Sequence, residues 1–110
     1  MPAIRRRRPA RVVRRLHVTE KDFMHQVMDL AKLYNYLIYH THNSQRSQPG
    51  YPDLCLVRPG RLVFLECKTE MGTLTPHQAM WLAVLNDSVP GVHALCVRPS
   101  DWDQLVEWLR

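Results

Sequence analysis

Apolar side chains recur along this chain at two spacings, and the switches between them outline its elements. Met24, Val27, Ala31 and Tyr34 repeat at helical spacing, with Phe23 and Leu30 at the edge of the stripe. Thr19 precedes them as an N-cap with Asp22 three residues on, so a helix is predicted from about Glu20 to Tyr34 or Asn35. Tyr36 to His42 is β-favouring, and the polar stretch from Asn43 to Tyr51 reads as an exposed loop. Two more strand-like runs, Asp53 to Arg58 and Arg61 to Lys68, flank Pro59-Gly60, an order that suits a type II turn with positive φ at Gly60 and therefore a hairpin. Thr75-Pro76-His77-Gln78 opens a second helix as N-cap, first-turn proline and capping-box glutamine, with Trp81, Leu82 and Leu85 on its apolar face. Val92 to Arg98 is a fourth strand, and Ser100 is placed to cap a last helix with Asp101 and Asp103 in its first turn. The predicted order is α-β-β-β-α-β-α without an internal repeat.

Length and composition narrow this to a single domain. A chain of 110 residues with 45% apolar content can bury one ordinary core. No apolar run approaches the roughly 20 residues of a membrane-spanning helix. Arginine and proline near the amino terminus replace the apolar segment of a secretion signal, so a cytoplasmic protein is expected. Cys55, Cys67 and Cys96 each lie within an apolar strand-like run and read as buried free thiols; with the histidines they form no zinc-binding spacing.

The net charge of +5 is unevenly placed. Arg5, Arg6, Arg7, Arg8, Arg11, Arg14 and Arg15 all fall in residues 1–16, whereas eight basic and ten acidic side chains follow, leaving the body at −2. Residues 1–16 therefore read as a flexible basic arm and residues 17–110 as the folded domain. The arm is either a phosphate-binding element, with Arg14 and Arg15 nearest the body, or a solubilising tail. Ser44, Arg46 and Ser47 give the polar loop candidate contacts to nucleic acid.

Alternation along the third predicted strand sets Leu62, Phe64, Glu66 and Lys68 on one face, so apolar residues give way to an acid and a base at its end. An antiparallel hairpin brings the start of one strand beside the end of the other, which puts Asp53 within reach of Glu66. Two carboxylates held together repel, and a hard divalent cation, Mg²⁺ or Mn²⁺, relieves the repulsion. Lys68 then stands where it can hold a water and offset developing phosphoryl charge. Glu20 lies on the inward stripe of the first helix, where it either answers the helix dipole or reaches the same site. Taken singly, these residues also suit a surface ion pair and an acid at a strand's start.

Pro52-Asp53 followed after twelve residues by Glu66-Cys67-Lys68 resembles the PD-(D/E)XK signature of the restriction-endonuclease-like superfamily. The longer pattern Gly50-Tyr51-Pro52-Asp53-Leu54, Glu66-Cys67-Lys68, Gly72, Thr75, Gln78, Trp81-Leu82 and Arg98-Pro99-Ser100-Asp101 is similar to the VRR-NUC family, over about Thr19 to Leu109. The resemblance implies an α/β restriction-endonuclease-like αβββαβ core, a central mixed four-stranded sheet flanked by helices, with a short C-terminal helix. It implies Asp53, Glu66, Glu20 and the Cys67 backbone carbonyl as metal ligands, Lys68 as the catalytic lysine, and Gln78 beside the site, where its capping role is a rival. The implied activity is Mg²⁺-dependent, structure-specific cleavage of DNA. For a stand-alone chain this means a Holliday-junction resolvase of replication and repair, working on branched DNA as a homodimer, with Trp102 and Trp108 either at the subunit interface or in the core. The alternatives are a catalytically silent nucleic-acid-binding module and an adaptor whose arm binds an acidic protein.

Overall fold

The computed structural model describes residues 18–41 and 48–110. Thr19 caps α1 (Glu20–Leu33), its hydroxyl accepting from Asp22 N–H at 3.1 Å. The helix buries Phe23, Met24, Val27, Leu30 and Ala31; Phe23, placed by spacing at the edge of the stripe, is fully buried, and Tyr34 is only half-buried. Asn35 then adopts a left-handed conformation (φ 66°), and Tyr36 N–H bonds back to the Ala31 carbonyl at 3.0 Å. That bond spends the amide on the helix end, so β1 starts one residue later than predicted and spans Leu37–His40. The Arg14 and Arg15 arm, His42, and the loop residues Ser44, Arg46 and Ser47 lie outside the described residues.

β2 (Leu54–Arg58) and β3 (Arg61–Cys67) form the expected antiparallel hairpin, with Arg58 opposite Arg61 and Gly60 at φ 80°. α2 (Pro76–Asn86) carries the chain over to β4 (Val92–Val97), which pairs parallel with β3. A 3-10 turn (Pro99–Asp101) leads into α3 (Trp102–Leu109). The four strands form one mixed sheet in the order β1-β2-β3-β4.

Alternation divides the sheet into two unequal faces. Leu54, Leu56, Val63, Leu65, Cys67 and Val97 pack against α1 and α3, whose Leu105 and Leu109 are fully buried. On the other face Phe64 and Ala94 meet Leu82 of α2, while Trp81 and Leu85 of that helix stay half-buried. α2 does not cover β1, where Leu37 and Tyr39 remain exposed.

Two expectations change, for Ser100 and for the cysteines. Ser100 is not the helix cap: it is buried inside the 3-10 turn, and Asp101 closes that turn by accepting from Arg98 N–H at 2.9 Å. The hydroxyl of a buried turn residue cannot reach the first amides of the helix that follows. Of the cysteines, Cys67 is buried but Cys55 and Cys96 are only half-buried, because the α2 side of the sheet is thinly covered; none of the three is in a disulfide. Trp102 and Trp108 both pack on the main core, so each has an intramolecular place. No helix among the described residues is long and apolar enough to cross a membrane.

Candidate metal centre

The pairing Leu54 to Leu65, continued one step, sets Asp53 opposite Glu66 on the α2 side of the sheet. Thr41 N–H donates to the Asp53 carbonyl at 3.0 Å and Thr41 Oγ1 to the Pro52 carbonyl at 3.0 Å, which fixes the backbone where β2 begins. The Asp53 carboxylate crosses to β3, where its Oδ2 accepts from Cys67 N–H at 2.9 Å. Glu20, the first residue of α1, comes over the end of the sheet from the opposite side. One carboxylate oxygen from each of Glu20, Asp53 and Glu66 lies within 4.8 Å of the others. The inward placement of Glu20 read from the helical stripe thus brings it into the cluster, although its side chain is exposed.

Glu66 is the buried member, 2% exposed. Its Oε2 accepts from Gln78 Nε2 at 3.1 Å and lies 3.9 Å from the Lys68 ammonium. Its Oε1 is buried without a hydrogen-bond partner among the described residues. Burial first, and the negative charge of Asp53 next, push the Glu66 carboxyl up to about 8, against the opposing pull of Lys68. An all-oxygen set with one buried oxygen unmatched fits a hard divalent cation better than zinc or copper. The cation would take the place of the proton that burial otherwise leaves on Glu66.

Gln78 reconciles the two roles set against each other by its sequence. Its Oε1 accepts from Thr75 N–H at 2.9 Å and Thr75 Oγ1 accepts from Gln78 N–H at 3.1 Å, a complete capping box. The cap consumes the acceptor end of the amide. Only the donor end remains, and it is turned onto Glu66.

Gly50, Tyr51 and Trp81 shape this corner, a part that the sequence did not assign to them. Gly50 (φ 87°) lies so close to α2 that an added Cβ would stand 2.5 Å from the His77 carbonyl carbon and 2.7 Å from Gln78 N. Trp81 Nε1 donates to the Pro49 carbonyl at 3.1 Å, and Tyr51 sits edge-on between Phe64 and Trp81 at centroid distances of 6.2 and 5.1 Å. The segment leading to Asp53 is thereby fastened to the helix that carries Gln78. The proline-glycine pair before Tyr51 signals a turn, but nothing local in the sequence signals what the turn abuts.

No family model matches the sequence, and no curated protein matches it. Solved structures do. One described as a VRR_NUC domain superposes with a TM-score of 0.64 at 23% identity, covering 82% of this chain and 96% of its own. A second, described as a VRR_NUC domain protein, gives 0.61 at 23% identity over 84% of this chain and 91% of its own. At that coverage the whole domain is matched, and the chain has the α/β fold of the VRR_NUC domain.

Proposed function

We propose that the chain is a nuclease of the VRR-NUC family, a Mg²⁺- or Mn²⁺-dependent phosphodiester hydrolase acting on DNA in the cytoplasm. The observation that carries this reading is the unmatched, buried Glu66 oxygen within a three-carboxylate cluster that also presents a lysine. Glu20, Asp53 and Glu66 would hold the ion, with the Cys67 backbone carbonyl as a further ligand. When bound, such an ion stabilises charge on phosphoryl oxygens and makes a water more acidic.

This chain's own groups supply the remainder. Lys68, nearly buried and fixed at its backbone by a 3.0 Å bond from its N–H to the Val97 carbonyl, presents its ammonium beside Glu66. There it orients the attacking water and offsets the negative charge that grows on the phosphoryl group during in-line displacement. Gln78 holds Glu66 in one rotamer through its donor end and so leaves the other carboxylate oxygen for the ion. Arg14, Arg15, Ser44, Arg46 and Ser47 would contact the DNA backbone around the site.

The substrate we favour is branched DNA, cut as a Holliday-junction resolvase in replication and repair. Symmetric cuts need two sites, which a chain with one site obtains as a homodimer. The test is incubation with Mg²⁺ and a panel of four-way junction, flap, single-stranded and duplex DNA, with cut positions mapped. Paired symmetric cuts in the four-way junction are expected. Equal cutting of all four substrates would remove the resolvase reading, and no metal-dependent cutting would remove the nuclease reading.

A further inference from the structure

Beyond β3 the chain reverses over residues 69–72, and one guanidinium holds that turn. Arg98 Nη1 donates to the carbonyls of Thr69 and Gly72, each at 2.6 Å, and lies 3.4 Å from that of Glu70. The turn also closes on itself, Gly72 N–H reaching the Thr69 carbonyl at 3.2 Å and Thr69 Oγ1 at 3.1 Å. Ser100 N–H donates to the Glu70 carboxylate at 2.8 Å, tying the turn to the segment that carries Arg98. Charge-assisted bonds are the stronger class, and a simple surface reversal does not require them.

What the turn touches is Lys68. A Cβ at Gly72 would stand 3.1 Å from Thr69 Oγ1 and 3.5 Å from Lys68 Cδ, so the lysine stem lies beside the turn. Lys68 itself is 9% exposed, and its N–H is bonded to Val97, the residue before Arg98. We propose that Arg98 is a positioning residue: by pinning the Thr69 and Gly72 carbonyls it makes the turn a fixed wall that holds the Lys68 stem and aims its ammonium at Glu66. A flexible four-carbon side chain needs such a wall if its charge is to stay in one place. The catalytic consequence rests on the role proposed above for Lys68, whereas the geometric one does not.

The two consequences can be tested separately. The chain has three lysines, Lys21, Lys32 and Lys68, so lysine-selective ¹³C labelling gives three ε-methylene signals, and Lys68→Arg identifies the one of interest. In the intact protein the two ε-protons of Lys68 should have separate shifts. They should merge in Arg98→Gln and stay partly separated in Arg98→Lys, which keeps a cation on a shorter reach. Gly72→Ala leaves Arg98 intact and should move the same signal by direct contact, which checks that the stem lies beside the turn; Arg98→Lys carries the test if Arg98→Gln does not fold. In cleavage assays Arg98→Gln should lower kcat on the order of 10²-fold with KM for DNA little changed. Lys68 signals identical to wild type in the folded variants would overturn the proposal, and a rise in KM without a fall in kcat would count against it. A wild-type protein that cuts no DNA would remove the nuclease reading while leaving the signal of Lys68 to decide the positioning role.

Discussion

One end of the sheet gathers carboxylates, with Lys68 and Arg98 beside them, and the other gathers arginines, and each suits the helix ends nearby. At one end Glu20 and Gln78 belong to the first turns of α1 and α2, where unpaired N–H groups favour negative charge, and the carboxylates converge there. At the other, Arg58 donates to the carbonyls of Tyr34 and Arg110 at 2.9 and 3.0 Å, closing the last turns of α1 and α3. Arg61 donates to Tyr36 Oη at 2.9 Å and to the Trp108 carbonyl, and lies 4.3 Å over the Trp108 ring. The arginine end satisfies its charges within the fold. Among the described residues, the carboxylate end leaves a buried oxygen without a partner, which costs stability and is tolerable where a ligand supplies the missing interaction. A broad concavity of about 640 Å³ lies at the arginine end, lined by Leu37, Val57, Gly60 and Gly91 among others, away from Glu66.

If the ends differ in this way, their variants should separate activity from stability. Lys68→Ala should lower cleavage by about 10²- to 10³-fold, the range for losing one group that stabilises charge in the transition state, while fluorescence anisotropy shows DNA still bound and Tm falls little. Full cleavage by that variant would sink the proposed mechanism. Arg61→Ala should do the reverse. Losing charged hydrogen bonds costs about 2 kcal/mol, so Tm should drop by about 10 °C, with cleavage per folded molecule unchanged at low temperature. A comparable Tm loss in both variants would erase the distinction.

pH should sharpen it further. Between the ordinary carboxylate range and about 8, the folded protein holds a proton on Glu66 that the unfolded chain has released, so metal-free stability falls as pH rises through that window. The Tm measured from pH 5 to 9 should slope downward, flatten in Glu66→Gln, and recover with Mg²⁺ at the alkaline end. A flat profile in the metal-free wild type would show that the cluster carries no strain. The smallest effect is expected at the cap: Thr75→Ala should cost about 1 kcal/mol in urea unfolding. Gln78→Glu keeps the capping acceptor but sets a carboxylate against Glu66, so it should impair cleavage far more than it lowers Tm.

Much of the fold was legible because its signals are local. Thr19 and Thr75 cap the helices they announce, Gly60 takes the positive φ its turn requires, and alternation sorts β3 into its two faces. Ser100 was misleading because a serine before acidic residues looks like a cap whether or not a 3-10 turn buries it. Arg58 and Arg61 gave no sign of their work, since their acceptors lie 24 to 52 residues away.

The sequence alone determined which residue types meet: strand parity and a two-residue turn require Asp53 to face Glu66, and the helical stripe puts Glu20 on the inward side of the first turn, where it could answer the helix dipole or join them. Only the tertiary structure decided how far Glu66 is buried, which end of Gln78 it receives, and what holds the turn beside Lys68. Periodicity is carried by neighbours along the chain, whereas burial and hydrogen-bond polarity depend on groups brought together from distant positions.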